Sequence, residues 1–192
     1  MMTLDHIAVA CTDLDEGAAW LESRLGVPLA PGGRHPLMGT HNRLLSLGPD
    51  SYLELIAIDP AAPPPSGPRW FGLDDFAGPP RIAGWVVRAP DSTPAPPGAR
   101  WVTAARGNLR WRITVADCGR MGHDGIAPSM IDWGTAPPPP AGLPDRGVRL
   151  VRLALSHPDP LDPLPGDARV TVSPGPPGMA ATLAGPLGEV VV

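Results

Sequence analysis

The stretch Leu4-Asp5-His6-Ile7-Ala8-Val9-Ala10, followed by Cys11-Thr12-Asp13-Leu14-Asp15-Glu16, decides how the chain is read. Seven residues of mostly apolar, partly β-branched character predict a strand. Its alternation puts Leu4, His6, Ala8 and Ala10 on one face and Asp5, Ile7 and Val9 on the other. Asp13, with Glu16 three residues on, is a variant of the capping box that opens a helix. Leu14, Ala18, Leu21 and Leu25 then fall on one helical stripe, and Gly26 supplies a left-handed stop.

Two further strands follow Gly32-Gly33, at His41 to Leu47 and Tyr52 to Asp59, joined by Gly48-Pro49-Asp50-Ser51. A weaker one is placed between Val27 and Leu37. Residues 1–59 thus read β-α-β-β-β. Residues 60–79 are a linker carrying the aromatic cluster Trp70-Phe71 with Phe76. The pattern restarts over residues 80–134, with strands at Ile82 to Arg88, Leu109 to Ala116 and Ile126 to Trp133. Pro94, Pro96 and Pro97 interrupt the helix expected after the first of these. It restarts again over residues 147–192: Val148 to Ser156, a single helical turn around Leu161 to Leu164, then short strands at Ala168 to Val172, Met179 to Ala184 and Glu189 to Val192. The fold class expected is α+β: repeated βαβββ modules whose sheets join side by side in one domain, curled around a cavity with helices outside.

Composition narrows the function classes. The net charge is −4, all 15 basic residues are arginine and they are scattered, which argues against nucleic acid as a partner. The 29 prolines concentrate between apolar runs and read as rigid loops rather than as low-complexity disorder. No apolar run approaches a membrane span and no cleavable leader is visible, so the expectation is a cytoplasmic protein. The two cysteines, Cys11 and Cys118, match no metal or disulfide spacing.

The opening strand, Thr12-Asp13-Leu14-Asp15, Leu25-Gly26-Val27, the strand Gly39 to Gly48 and Tyr52-Leu53-Glu54-Leu55-Ile56-Ala57-Ile58-Asp59 together resemble the glyoxalase-like subgroup of the vicinal-oxygen-chelate superfamily. Ile131-Asp132-Trp133-Gly134 and Ser156-His157-Pro158-Asp159-Pro160 are similar to that subgroup as well. The resemblance implies a small-molecule site inside the curved sheet. In metal-dependent members, a divalent ion takes one ligand from the first and one from the last strand of each of two modules. His6 and Glu54 match the first pair, which implies a metal site (Zn, Ni, Mn or Fe) and lyase or isomerase chemistry with Glu54 as the proton-moving catalytic group. A homodimer also fits the resemblance.

The residues themselves leave alternatives open. An isolated His on a strand is as well explained by a neighbouring carbonyl, and Glu54 by an ion pair with Arg43. Thr40, Asn42 and Tyr52 share the cavity face and are candidates for substrate binding, although the first two could equally fix a strand end. His35 is placed on a loop near the site and His41 on the opposite face. The second pair of metal ligands is missing: aligning Asp91 with Asp13 sets Gly84 opposite His6. Asp132, Glu189, His123, Asp124 and His157 are the remaining candidates to complete a site. A metal-free binding or drug-sequestration pocket walled by Trp85, Trp111 and Trp133 is therefore the rival reading.

Overall fold

The computed structural model describes residues 2–90, 92–107, 109–161 and 166–192. The chain runs β1 (Thr3–Ala10), α1 (Leu14–Leu25), β2 (Ala30–His35), β3 (Thr40–Ser46), β4 (Tyr52–Ile58), a short 3-10 segment (Trp70–Asp75), then β5 (Arg81–Arg88), β6 (Ala99–Arg106), β7 (Leu109–Ala116) and β8 (Ser129–Asp132). It ends with β9 (Arg149–Ser156), β10 (Val170–Ser173), β11 (Gly178–Gly185) and β12 (Gly188–Val191). The helical turn expected around Leu161 to Leu164 and the turn residue Asp91 fall largely outside the described residues.

The first two repeats share one eight-stranded mixed sheet in the order β2-β3-β4-β1-β5-β8-β7-β6. Each half has the same wiring. Its first strand pairs in parallel with its last, β1 with β4 and β5 with β8, and the two first strands meet antiparallel at the centre. This is the curled α+β sheet expected from the sequence. The sheet bends until its rims come close: a Cβ on Gly33 of β2 would lie 2.3 Å from Cδ of Arg106 on β6.

The helix forms where its caps place it. Asp13 accepts hydrogen bonds from the backbone N–H groups of Asp15 and Glu16 at 2.9 Å, and Gly26 closes the last turn at φ 73°. Leu14, Ala18, Leu21 and Leu25 go down against the convex face of the sheet.

Three expectations need correction. The third repeat does not extend the main sheet: it forms its own four-stranded sheet in the order β10-β9-β11-β12, which is not the βαβββ wiring. That sheet lies on the convex face, where Leu150, Leu153, Leu155, Ala181 and Leu183 join Trp85, Val87 and the helix leucines in one buried cluster. The physical reason is a gap: among the described residues no helix lies between β5 and β6, where the first half has α1, so something else must cover the apolar outer face of the second half. Next, a strand absent from the sequence reading, β6, pairs with β7 along its whole length. Lastly, Leu4 is not on the His6 face. A bulge between Leu4 and His6, where β5 offers Val87 and Val86 as consecutive partners, leaves Asp5 as the extra residue. Leu4 therefore packs with Ile7 and Val9.

Leu153, fully buried between the two sheets, tests their interdependence. Leu153→Ala should cost about 2–5 kcal/mol in a denaturant melt and shift one cooperative transition. Two separate transitions would mean that the sheets fold independently.

Candidate functional site

The concave face of the main sheet carries a cavity whose floor is the β1–β4 pair. Parallel pairing sets His6 beside Tyr52 and Ala8 beside Glu54. The small Ala8 leaves room for the longer side chains on either side of it. His6 stacks on Tyr52 with ring centres 4.5 Å apart, and its Nε2 lies 3.5 Å from Glu54 Oε2. His6 and Glu54 thus face one cavity together, and neither alternative partner is used. Arg43 pairs instead with Asp15 at 2.6 Å.

The bulge on β1 gives the site its second carboxylate. Asp5, wholly buried, accepts from His6 Nδ1 at 2.6 Å, from Arg88 Nε at 2.5 Å and from Trp133 Nε1 at 3.0 Å. His6 therefore sits between two carboxylates. Burial alone would discharge it, but the bonds to Asp5 and Glu54 outweigh desolvation and push its pKa up to about 9. Burial likewise favours a neutral Glu54 and Asp5, and in both the His6 contact wins and holds the carboxyl below its ordinary value.

Around this pair the structure distributes the other candidates. Asn42 donates to Glu54 Oε1 at 2.5 Å, while its Oδ1 accepts from Gly33 N at 2.8 Å and from Arg106 Nη1 at 3.2 Å. Its polar atoms are engaged by the protein itself, so it fixes Glu54 and ties the two rims. Thr40 is buried behind the cavity wall, its hydroxyl 3.0 Å from His35 Nδ1. His35 belongs to β2 rather than to a loop, and its Nε2 lies 4.0 Å from Glu54. Desolvation dominates there and lowers its pKa to about 4, so it is neutral.

The walls are apolar and aromatic. Trp111 and Trp133 line the cavity with Trp70, Phe71, Ile113 and Ile131. Trp85 does not: it lies on the opposite face, its Nε1 bonded to Ile126 O. The free volume is about 30 Å³, room for about two water-sized groups. Trp70, Phe71 and Arg106 are lining residues beyond those expected from the sequence. Trp70-Phe71 was visible as an aromatic pair in a proline-rich linker, and Arg106 stands directly before the turn signal Gly107-Asn108.

The donor set for a metal stops at the first half. The offset that carries His6 to Gly84 carries Ala8 to Val86, whose parallel partner is Ser129, so Ser129 answers to Glu54. Neither is an ion ligand of the expected kind. The ring of Phe71 occupies the place of a side chain at Gly84, where a Cβ would fall 2.5 Å from its Cδ1. Asp132 is engaged locally by Gly134 N, and Asp124 with His157 forms a separate pair at 3.5 Å. Among the described residues, no three His, Cys, Asp or Glu side chains are grouped to hold an ion. The residues present do not fit the expected four-ligand centre.

A family profile described as "Glyoxalase-like domain" matches residues 4–164. No curated protein matches the chain. Among solved structures, a hypothetical protein from Staphylococcus aureus is similar with a TM-score of 0.52 at 13% identity, over 82% of this chain and 71% of that one. Methylmalonyl-CoA epimerase from Mycobacterium tuberculosis aligns at 0.43 and 23% identity, over 68% and 87%. A hypothetical protein from Bacillus halodurans aligns at 0.47 and 14% identity, over 71% and 97%.

The two buried histidines should leave opposite marks on stability. His6, raised to about 9 from an ordinary 6.5, contributes stability that is complete below pH 6.5 and is lost as pH rises through 9. His35, lowered to about 4 from 6.5, makes stability fall as pH drops from 6.5 towards 4, because the unfolded chain then binds the extra proton. Denaturant melts across this range should show His6→Asn flattening the alkaline limb and His35→Asn the acid limb. Variants that leave both limbs unchanged would contradict these assignments.

Proposed function

We propose that this chain, which belongs to the glyoxalase-like domain family, binds a small organic molecule in the concave cavity without the help of a metal ion. The observation that carries this reading is the asymmetry of the site. One half presents His6 and Glu54, while the matching positions of the other half hold Gly84, covered by Phe71, and Ser129. Two protein donors bind a divalent ion weakly, and here the donors are engaged with each other.

The same geometry weighs binding against lyase or isomerase chemistry. A general acid–base pair works best when its pKa values lie near the working pH. His6 is held protonated up to about 9 and Glu54 is held ionised, so at neutral pH the pair is a fixed dipole rather than a poised proton donor and acceptor. Its role in this reading is to give the floor of an apolar pocket one polar end. Tyr52, stacked on His6, and the tryptophan walls supply shape and dispersion contacts.

Thermal melts of wild type and Glu54→Gln with Ni²⁺, Mn²⁺, Zn²⁺ or a chelator discriminate the two readings. The amide is nearly isosteric, so it keeps the shape of the floor and removes the charge. The expected result is that neither protein shifts with any ion or with the chelator. A specific ion that stabilises wild type by linkage and Glu54→Gln less would replace this reading with metal-assisted chemistry at His6 and Glu54.

A further inference from the structure

We infer that the cavity selects a short-chain organic carboxylate, with its anionic head at Arg106 and its apolar remainder against the tryptophan wall; this rests on the binding reading above. Charged groups in and behind the cavity are mostly paired. His6 is matched by Glu54 at 3.5 Å, and behind them Asp5 is matched by Arg88 at 2.5 Å. Arg106 is different. Among the described residues its guanidinium contacts no carboxylate, and its hydrogen bond goes to the neutral amide oxygen of Asn42 at 3.2 Å. Arg106 therefore lines the cavity as a part-buried guanidinium with no carboxylate in contact among the described residues.

Trp70 adds to this. Trp70 is a lining residue only 4% exposed, and its indole N–H is buried with no acceptor. A buried donor without a partner is costly. Arg106 and Trp70 line the same cavity, and a guanidinium there favours an anionic acceptor over a neutral one.

Arg106 is also held in place. Its stem runs across Gly33, where a Cβ would lie 2.3 Å from Cδ, and Asn42 is received at Gly32, where a Cβ would lie 2.1 Å from Oδ1. The Gly32-Gly33 pair is thus the notch that seats both side chains. Leu44, Trp111, Ile113 and Trp133 offer the rest of the ligand an apolar surface. A free volume of about 30 Å³ is small and favours a compact carboxylate over a bulky one.

The probes are isobutyrate, its neutral isostere isobutyramide and the cation isobutylammonium, titrated against the full chain and followed by tryptophan fluorescence. Wild type should bind isobutyrate about tenfold or more tighter than the other two, the size expected for a charge-assisted hydrogen bond. Arg106→Gln should bring isobutyrate down to the level of the amide, and Arg106→Lys, which keeps the charge but loses the fork, should keep a preference for the anion. Circular dichroism checks that both variants are folded. Equal binding of the three probes by wild type, or an Arg106→Gln protein that still prefers isobutyrate, would overturn the anion preference and leave the binding cavity standing. Binding of none of the probes would overturn both.

Discussion

Most of the site depends on a single backbone irregularity, the bulge that turns Asp5 out of the alternation of β1. In a regular strand Asp5 would point into the apolar layer beneath the helix, where an ionised carboxylate is prohibitive. The bulge instead brings it beside His6, Arg88 and Trp133. This one arrangement holds the imidazole by its Nδ1, leaves Nε2 turned to Glu54, and tethers Trp133 from β8's end of the sheet to the first strand. A row of alternating charges then runs from the partly exposed Arg88 inward through the buried Asp5, His6 and Glu54, each compensated by the next. Removing one member would leave its neighbours buried and unpaired, which is worse than never having had the row.

The second constraint is the need to cover the convex face of an eight-stranded sheet. The first half does it with α1. The second half has prolines where that helix would form, and the terminal four-stranded sheet fills the role. Cover and cavity therefore lie on opposite faces of one sheet, and substitutions in the terminal sheet are expected to act on stability with little effect on the concave lining.

The first half of the fold was legible because each of its signals is local. Capping by Asp13, the stop at Gly26 and the alternation of Tyr52 to Ile58 depend on residues close in sequence, and they correctly placed His6 and Glu54 on one face. What was illegible is non-local or irregular. A bulge cannot be seen in an alternation pattern, so the pattern alone gives the wrong face for Leu4 and Asp5. Strand β6 alternates only weakly, beginning just after a proline run, and this hid Arg106. The position of the last 45 or so residues follows from what the second half lacks, which no property of those residues announces. His35 is visible in the sequence, yet only the pairing and curl of β2, β3 and β4 bring it to Glu54, with Trp70 packed against it.

Phe71 over Gly84 gives the repeated architecture a different meaning. Two halves with the same wiring could have built two equal sets of polar groups meeting at the central strands. Here they have divided the labour: one copy keeps the chemistry-bearing side chains, and the other has become their wall, contributing tryptophans, isoleucines and an arginine. A duplicated unit freed from supplying ligands can vary its lining without disturbing the charges opposite, so differences in ligand choice between this chain and others of its architecture should be sought in the second copy.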